Sequence, residues 1–313
     1  MSLKIDIFTH ILTQRYTEKY IEYNPSIKDR VEYRATPVWN LPVREGLMKR
    51  RPDVLQVLTM ANIPLEKFAP DHSAELARIG NEELAELLVK RQDLFCGAAA
   101  VLPMNDVDAS LKEIDHAIKV LRLDGIQVYT RVVDEWLASE KYHPILARMA
   151  ELDKPIWIHP DFPGDFNKEH KDWDFGLFTW PFETTNCMLR LVESGIFREY
   201  PNIKFVVHHA GAMVPYFAER VKGVIRNSRS YYPGIDEDFK KFYVDTALYG
   251  NTSGLMCAYD YYGADHILFG TDAPLGDKSG ERTILSIERM AIPQGEKDKI
   301  FSLNAQELLQ NVV

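Results

Sequence analysis

The sequence predicts an α/β chain folded as a (β/α)8 barrel of the TIM type, and three observations predict it. Short apolar runs rich in β-branched residues alternate with longer amphipathic stretches along the chain. The runs are apolar nearly throughout, as strands covered by helices on both faces must be. The first run leads into "THILTQRYTEKY", which holds no glycine. A doubly wound nucleotide-binding sheet carries a glycine-rich phosphate loop at that point.

The elements follow in order. The first strand is "KIDIFTHI", residues 4–11. Strand alternation would place Asp6, Phe8 and His10 on one side and Ile5, Ile7 and Thr9 on the other. Residues 13–50 come next, holding Tyr16, Tyr20, Tyr23, Tyr33 and Trp39, and are read as an insertion or lid. The second strand, "VLQVLTMA", precedes the helical pattern "NEELAELLVKRQ". "FCGAAAVLP" precedes "SLKEIDHAIKVL", and "DGIQVYTR" precedes "HPILARMAEL". The fifth strand, "PIWIHPDF", is followed by a long loop and then "TTNCMLRLVESGIF". "IKFVVHHAG" precedes "VPYFAERVKGVIR", and "FYVDTAL" precedes "SGLMCAYDYYG". The eighth, "HILFGTDAP", precedes "RTILSIERM", and "GEKDKIFSLNAQELLQ" closes the chain. The helical stretches repeat apolar residues at i, i+3, i+4 and i+7, the stripe that a core-facing helix needs. No Ser/Gly linker divides residues 1–313, which are read as one domain.

Composition narrows the function classes. The chain has 313 residues, 46% hydrophobic and 27% charged, with a formal net charge of −9. It has no basic run and no arginine–aromatic cluster, so nucleic acid is not an expected partner. Its longest apolar runs are too short to span a membrane. The N-terminus lacks a basic region followed by an apolar one, so no secretory signal is expected. Cys96, Cys187 and Cys257 lie far apart without a CxxC pair, which suits core thiols in a reducing cytoplasm.

Active sites of such barrels lie at the C-terminal ends of the strands. There the chain places His10, His159, the pair His208–His209, Asp272 and, on the seventh strand, Asp245. Singly, each has an ordinary reading as a hydrogen-bonded core residue or a turn cap. Together they are costly to bury unless they satisfy one another around a cation. Imidazole plus carboxylate suits one divalent metal, Zn²⁺ first, with Mn²⁺ or Fe²⁺ as alternatives. The fourth strand has no lysine to bridge two metals. Of His208 and His209, alternation sends one inward and one outward without saying which. Arg131 is a candidate anchor for a substrate carboxylate, with a salt bridge as the alternative. Trp180 is a candidate aromatic wall of the substrate site, with core packing as the alternative.

The segments "IDIFTHI", "PIWIHP", "WPFETTNCMLRLVESGIFREYPNIKFVVHHAGAMVPYFAERV", "FYVDTALYG" and "HILFGTDAPLG" resemble, in this order, the amidohydrolase-related metal enzymes typified by aminocarboxymuconate semialdehyde decarboxylase. The resemblance implies a barrel with one metal held by His10, His159 and Asp272. It aligns His209, Gly211 and Pro215 with an H-x-G-x-x-x-P motif, which selects His209 over His208 as the catalytic partner of Asp272. It implies a carboxy-lyase, or a hydrolase using the same residues, acting on a small carboxylated or cyclic substrate of aromatic or muconate type. In the lyase version Asp272 moves the proton and His209 steadies the developing charge. A homodimer is a further implication. The chain departs from the family at Phe8, where a first metal ligand is usual. That departure supports an alternative, a non-catalytic barrel that serves as a binding protein.

Overall fold

The computed structural model describes residues 2–29, 31–61, 64–161 and 175–310. Seven parallel strands follow one another around a curled sheet in chain order. They are β1 (Lys4–Ile11), β2 (Val54–Met60), β3 (Phe95–Val101), β4 (Gly125–Tyr129), β5 (Ile156–His159), β6 (Phe205–Val207) and β7 (Tyr243–Val244). The expected eighth strand is present only as two bridges, Val244 to Ile267 and Thr9 to Ala273. Backbone bonds still join it to both neighbours: Leu268 N donates to Val244 O at 2.8 Å, and His10 N to Ala273 O at 2.7 Å. The ladder is interrupted because a side chain stands in for it. The Thr246 hydroxyl donates to Gly270 O and accepts from Gly270 N, each at 3.0 Å. The ring is thereby closed, which satisfies backbone groups that an open edge would expose.

Two apolar layers hold the wall. Inside the barrel, Ile5, Ile7, Phe8, Val57, Ala99, Trp157, Val206 and Leu268 pack as one cluster. A larger cluster fills the space between the sheet and the outer helices. Inner residues recur every second position, so His159 stands above Trp157, His208 above Val206, and Asp272 above Leu268 and Gly270.

The first strand breaks that rule. Asp6 pairs with Gln56 but Thr9 with Leu58, so β1 spends one more residue than β2 across this interval. A bulge of this kind shifts the alternation by one. Ile5, Ile7 and Phe8 therefore all face inward. This corrects the expectation that Asp6 shares a side with Phe8 and His10. Its carboxylate instead accepts from Thr271 N at 2.9 Å and from the Thr271 hydroxyl at 2.5 Å. Burial pushes the Asp6 carboxyl up to about 7, and the same cause pushes its neighbour Arg44 down to about 10.

Arg44 also ties down the segment expected as an insertion or lid. That segment folds as short helices, among them Gln14–Tyr23, Thr36–Trp39 and Leu41–Met48. Arg44 donates to the His10 carbonyl, to the Thr9 hydroxyl at 3.0 Å and to Gln56 Oε1 at 3.0 Å. The Glu83 carboxylate, on the long helix Pro70–Lys90, accepts from the backbone N–H groups of Arg15 and Tyr16 at 2.9 and 2.8 Å. It thereby caps the helix that begins at Gln14. All three cysteines are free thiols. Among the described residues, no helix is long and apolar enough to cross a membrane.

Trp157 is the largest side chain fully buried in the barrel, and its indole N–H donates to Ile7 O at 2.9 Å at the bulge. Trp157→Phe keeps most of the volume but strands that carbonyl. It is expected to cost about 1–3 kcal/mol, read as a lower urea midpoint with an unchanged slope. An unchanged midpoint would mean that the bond adds nothing to stability.

Candidate metal centre

Three strands deliver three imidazoles to one point. One ligand nitrogen from each of His10, His159 and His208 lies within 4.8 Å of the other two, and all three residues are buried. Ring centroids are 5.2 Å apart for His10 and His159, and 5.1 Å for His159 and His208. Phe8 lies beneath them with its ring stacked on His208 at 3.4 Å.

For two of the rings the hydrogen-bond partner settles which nitrogen carries the proton. His159 Nδ1 faces the Pro160 carbonyl at 2.7 Å, and a carbonyl only accepts, so Nδ1 is the donor. His208 Nδ1 faces the Asp245 carboxylate at 2.5 Å and is likewise the donor. His10 Nδ1 lies 3.1 Å from the Thr59 hydroxyl. That hydroxyl also lies 3.0 Å from Thr9 O, so either group can take its single proton. The Nε2 atoms of His159 and His208 are then lone pairs. That of His208 is buried with no hydrogen-bond partner. Burial, followed by repulsion from the neighbouring histidines, holds His159 and His208 well below the ordinary imidazole range. Neutral imidazole is the form that binds a metal.

Asp272 lies against this group, with Oδ1 2.9 Å from His10 Nε2. At that distance a proton on Nε2 bridges the pair, or a cation held by both takes its place. The inward lone pairs of His159 and His208, the His10 imidazole and the adjoining carboxylate together fit a divalent ion of the zinc or manganese kind. Asp272 itself falls outside the mutual group of three histidines.

The turn after β6 explains the placing of His208 and His209. His209, Ala210 and Ala212 take left-handed φ values of 60°, 55° and 56°. Side chains disfavour that region, so the turn needs outside support. Asp245 supplies it: Oδ1 accepts from the N–H groups of His209 at 2.8 Å, Ala210 at 3.3 Å and Ala247 at 3.0 Å. Gly211 completes the turn, where an added Cβ would lie 2.3 Å from the Tyr262 hydroxyl. Because the chain turns there, His209 swings beside His208, with ring centroids 4.9 Å apart, and stays half-buried. His208 is thus the sixth-strand histidine that enters the triad, while His209 faces the same space from the side. Strand parity with the inner residue Val206 was the signal for His208; the role of Asp245 as its holder left no trace in spacing.

The two expected substrate contacts fare differently. Trp180 opens the helix Trp180–Glu193 and lies 5.7 Å from the His159 ring and 6.4 Å from the His209 ring, nearly parallel to the latter. It belongs to the rim of the site. Arg131 is engaged elsewhere. It forms a forked pair with Glu183, at 2.7 and 3.4 Å, and stacks on Trp136 at 3.4 Å. The salt-bridge alternative describes this geometry.

A further acid on this face went unnoticed in the sequence. Glu66 lies on the short turn Leu65–Lys67 after β2, and its buried Oε2 has no hydrogen-bond partner. Burial first, then the charge of Asp161, pushes its carboxyl up to about 8.

The sequence matches the family model described as amidohydrolase over residues 5–310. Gamma-resorcylate decarboxylase of Rhizobium sp. (strain MTP-10005) is 30% identical over 270 residues, covering 78% of this chain and 81% of its own. The 6-methylsalicylic acid decarboxylase of Penicillium expansum is 27% identical over 281 residues, covering 87% and 86%. A crystal structure of dihydroxybenzoic acid decarboxylase from Polaromonas sp. JS666, with bound manganese and the inhibitor 2-nitroresorcinol, is similar at a TM-score of 0.83 and 25% identity. It covers 99% of this chain and 97% of that one.

Glu66 yields a pH test. Its folded pKa, about 8, is above the ordinary 4.5, so the folded chain holds a proton that the unfolded chain has lost between those values. Stability therefore falls as pH rises through that window. Glu66→Gln removes the titration, so its stability relative to the parent should rise from pH 4.5 and level off near pH 8. Denaturant midpoints at several pH values measure it; a pH-independent difference would contradict the buried-acid assignment.

Proposed function

Since the chain belongs to the amidohydrolase family, we propose that it is a metal-dependent carboxy-lyase that releases CO2 from a small aromatic carboxylic acid. The observation that carries this reading is the convergence of three buried imidazoles, one ligand nitrogen of each within 4.8 Å of the other two, beside the Asp272 carboxylate. When bound, a divalent ion supplies a Lewis-acid anchor for the substrate's oxygens. His10, His159 and Asp272 are proposed as its holders. Asp272 also moves the proton: its carboxylate first takes one from a water in the mouth, the bond between ring carbon and carboxylate then breaks with loss of CO2, the electron pair stays on the carbon, and the carbon takes that proton from Asp272, which returns to the carboxylate. His209, half-buried at the side of the triad, steadies the charge that develops on the substrate. Trp180 forms an aromatic wall along the ring. Residues 13–50 are proposed to cover the mouth.

The imidazole-rich set favours zinc, and the manganese in the Polaromonas relative makes Mn²⁺ the competing outcome. The hydrolase version would use the same side chains, but the similar proteins named above are decarboxylases. Free thiols agree with a cytoplasmic location, and a homodimer is carried as part of the proposal.

Two measurements test the reading. Protein purified without chelator is assayed for metal content and for CO2 release from 2,6-dihydroxybenzoate and 6-methylsalicylate. Near-stoichiometric metal with turnover is expected, and chelation should lower the melting temperature because the ion binds the folded chain. Metal-free protein that gains no stability from Zn²⁺ or Mn²⁺ would instead support the non-catalytic barrel. Asp272→Asn should cut turnover by about 100- to 10,000-fold with the fold intact by circular dichroism. A variant that keeps turning over would remove Asp272 from the proton path.

A further inference from the structure

Position 8 points into the space where the ion would sit but brings no donor. The Phe8 ring centroid lies 5.6 Å from that of His10, 6.2 Å from that of His159 and 3.4 Å from that of His208. A phenyl ring there leaves the first strand with His10 as its one inward donor above the bulge. We propose that His208 supplies the missing ligand, so that one metal-binding position has moved from the first strand to the sixth. The inference rests on the metal-dependent reading above and deepens it by naming a ligand that the H-x-G-x-x-x-P spacing passes over.

Four observations carry it. His208 Nε2 is buried and has no hydrogen-bond partner, although a lone polar atom in such a place is costly. The atom lies in the mutual group with His10 and His159, whereas no ligand atom of His209 does. Its Nδ1–H is spent on Asp245 at 2.5 Å, the carboxylate–imidazole pairing that orients metal-binding histidines and raises their basicity. Finally, Phe8 lies nearly flat on the imidazole, with 24° between planes, which leaves the ring edge with Nε2 as its open side. A histidine kept only for packing needs neither a buried carboxylate partner nor an unpaired inward nitrogen. Phe8 and His208 thus act as a pair: the phenyl ring fills the vacated ligand position and serves as the platform for its replacement.

The test uses the full-length protein loaded with Co²⁺ or Zn²⁺, read by metal affinity in competition with a chelator and by X-ray absorption at the metal edge. The parent is expected to show three imidazoles on the ion. His208→Ala should weaken affinity by more than about 100-fold, above what loss of a supporting partner costs, and Asp245→Asn by about 10- to 100-fold. The double variant Phe8→His/His208→Ala returns a donor to the first strand and should recover most of the lost affinity. Two imidazoles on the ion in the parent protein would overturn the proposal even if no variant folds. So would His208→Ala with parental affinity and an unchanged Co²⁺ spectrum. Parent protein that binds no ion at all would overturn the metal-dependent reading itself, an outcome distinct from either of these.

Discussion

The Asp245 carboxylate is the contact on which the site depends. One oxygen holds His208 by its Nδ1–H, and the other collects three backbone N–H groups from the turns after β6 and β7. A charge this deeply buried is expensive unless every lone pair is used. Here the hydrogen bonds that offset the burial also fix two histidines in space. Burial still pushes its carboxyl up to about 6. The left-handed residues at 209, 210 and 212 are tolerated because these bonds hold them.

The same economy recurs where the barrel closes. Between β7 and β1 the regular ladder gives way, and polar side chains complete it: Thr246 bonds to Gly270, and Asp6 bonds to Thr271. Those two contacts fix the backbone immediately before Asp272. On the opposite side, Arg44 fixes the carbonyl of His10. The two partners of the 2.9 Å His10–Asp272 contact are therefore set by structure outside the mouth. Preorganisation of this kind holds candidate ligands in place from outside the mouth.

Much of the architecture was legible because its causes are periodic. Alternating apolar runs and amphipathic stretches follow from the geometry of strand and helix, so seven parallel strands and their helices appear in the expected order. His10, His159 and Asp272 were legible as polar residues at strand ends that would otherwise be apolar. Three features were hidden. The bulge in β1 reverses the side of Asp6, and no residue type announces it. Arg131 looked available because Glu183, its partner, is distant in sequence. His208 and His209 could not be told apart because the sequence does not say which face of the sixth strand turns inward; the structure shows Val206 inside, and His208 keeps its parity.

By itself, then, the sequence determined the kind of fold and the inventory of chemistry. It put imidazoles and a carboxylate at the ends of separate buried strands, and it put a ring without a donor at position 8. Local pattern suffices for this, since residue type and spacing set which segments bury both faces. Only the tertiary structure decided which nitrogen atoms meet, which nitrogen of His159 and of His208 carries the proton, and which carboxylate serves the site rather than the wall. Those outcomes depend on hydrogen bonds between residues far apart in the chain, such as Thr59 with His10 and Asp245 with His208, and a one-residue bulge or a left-handed turn is enough to change them.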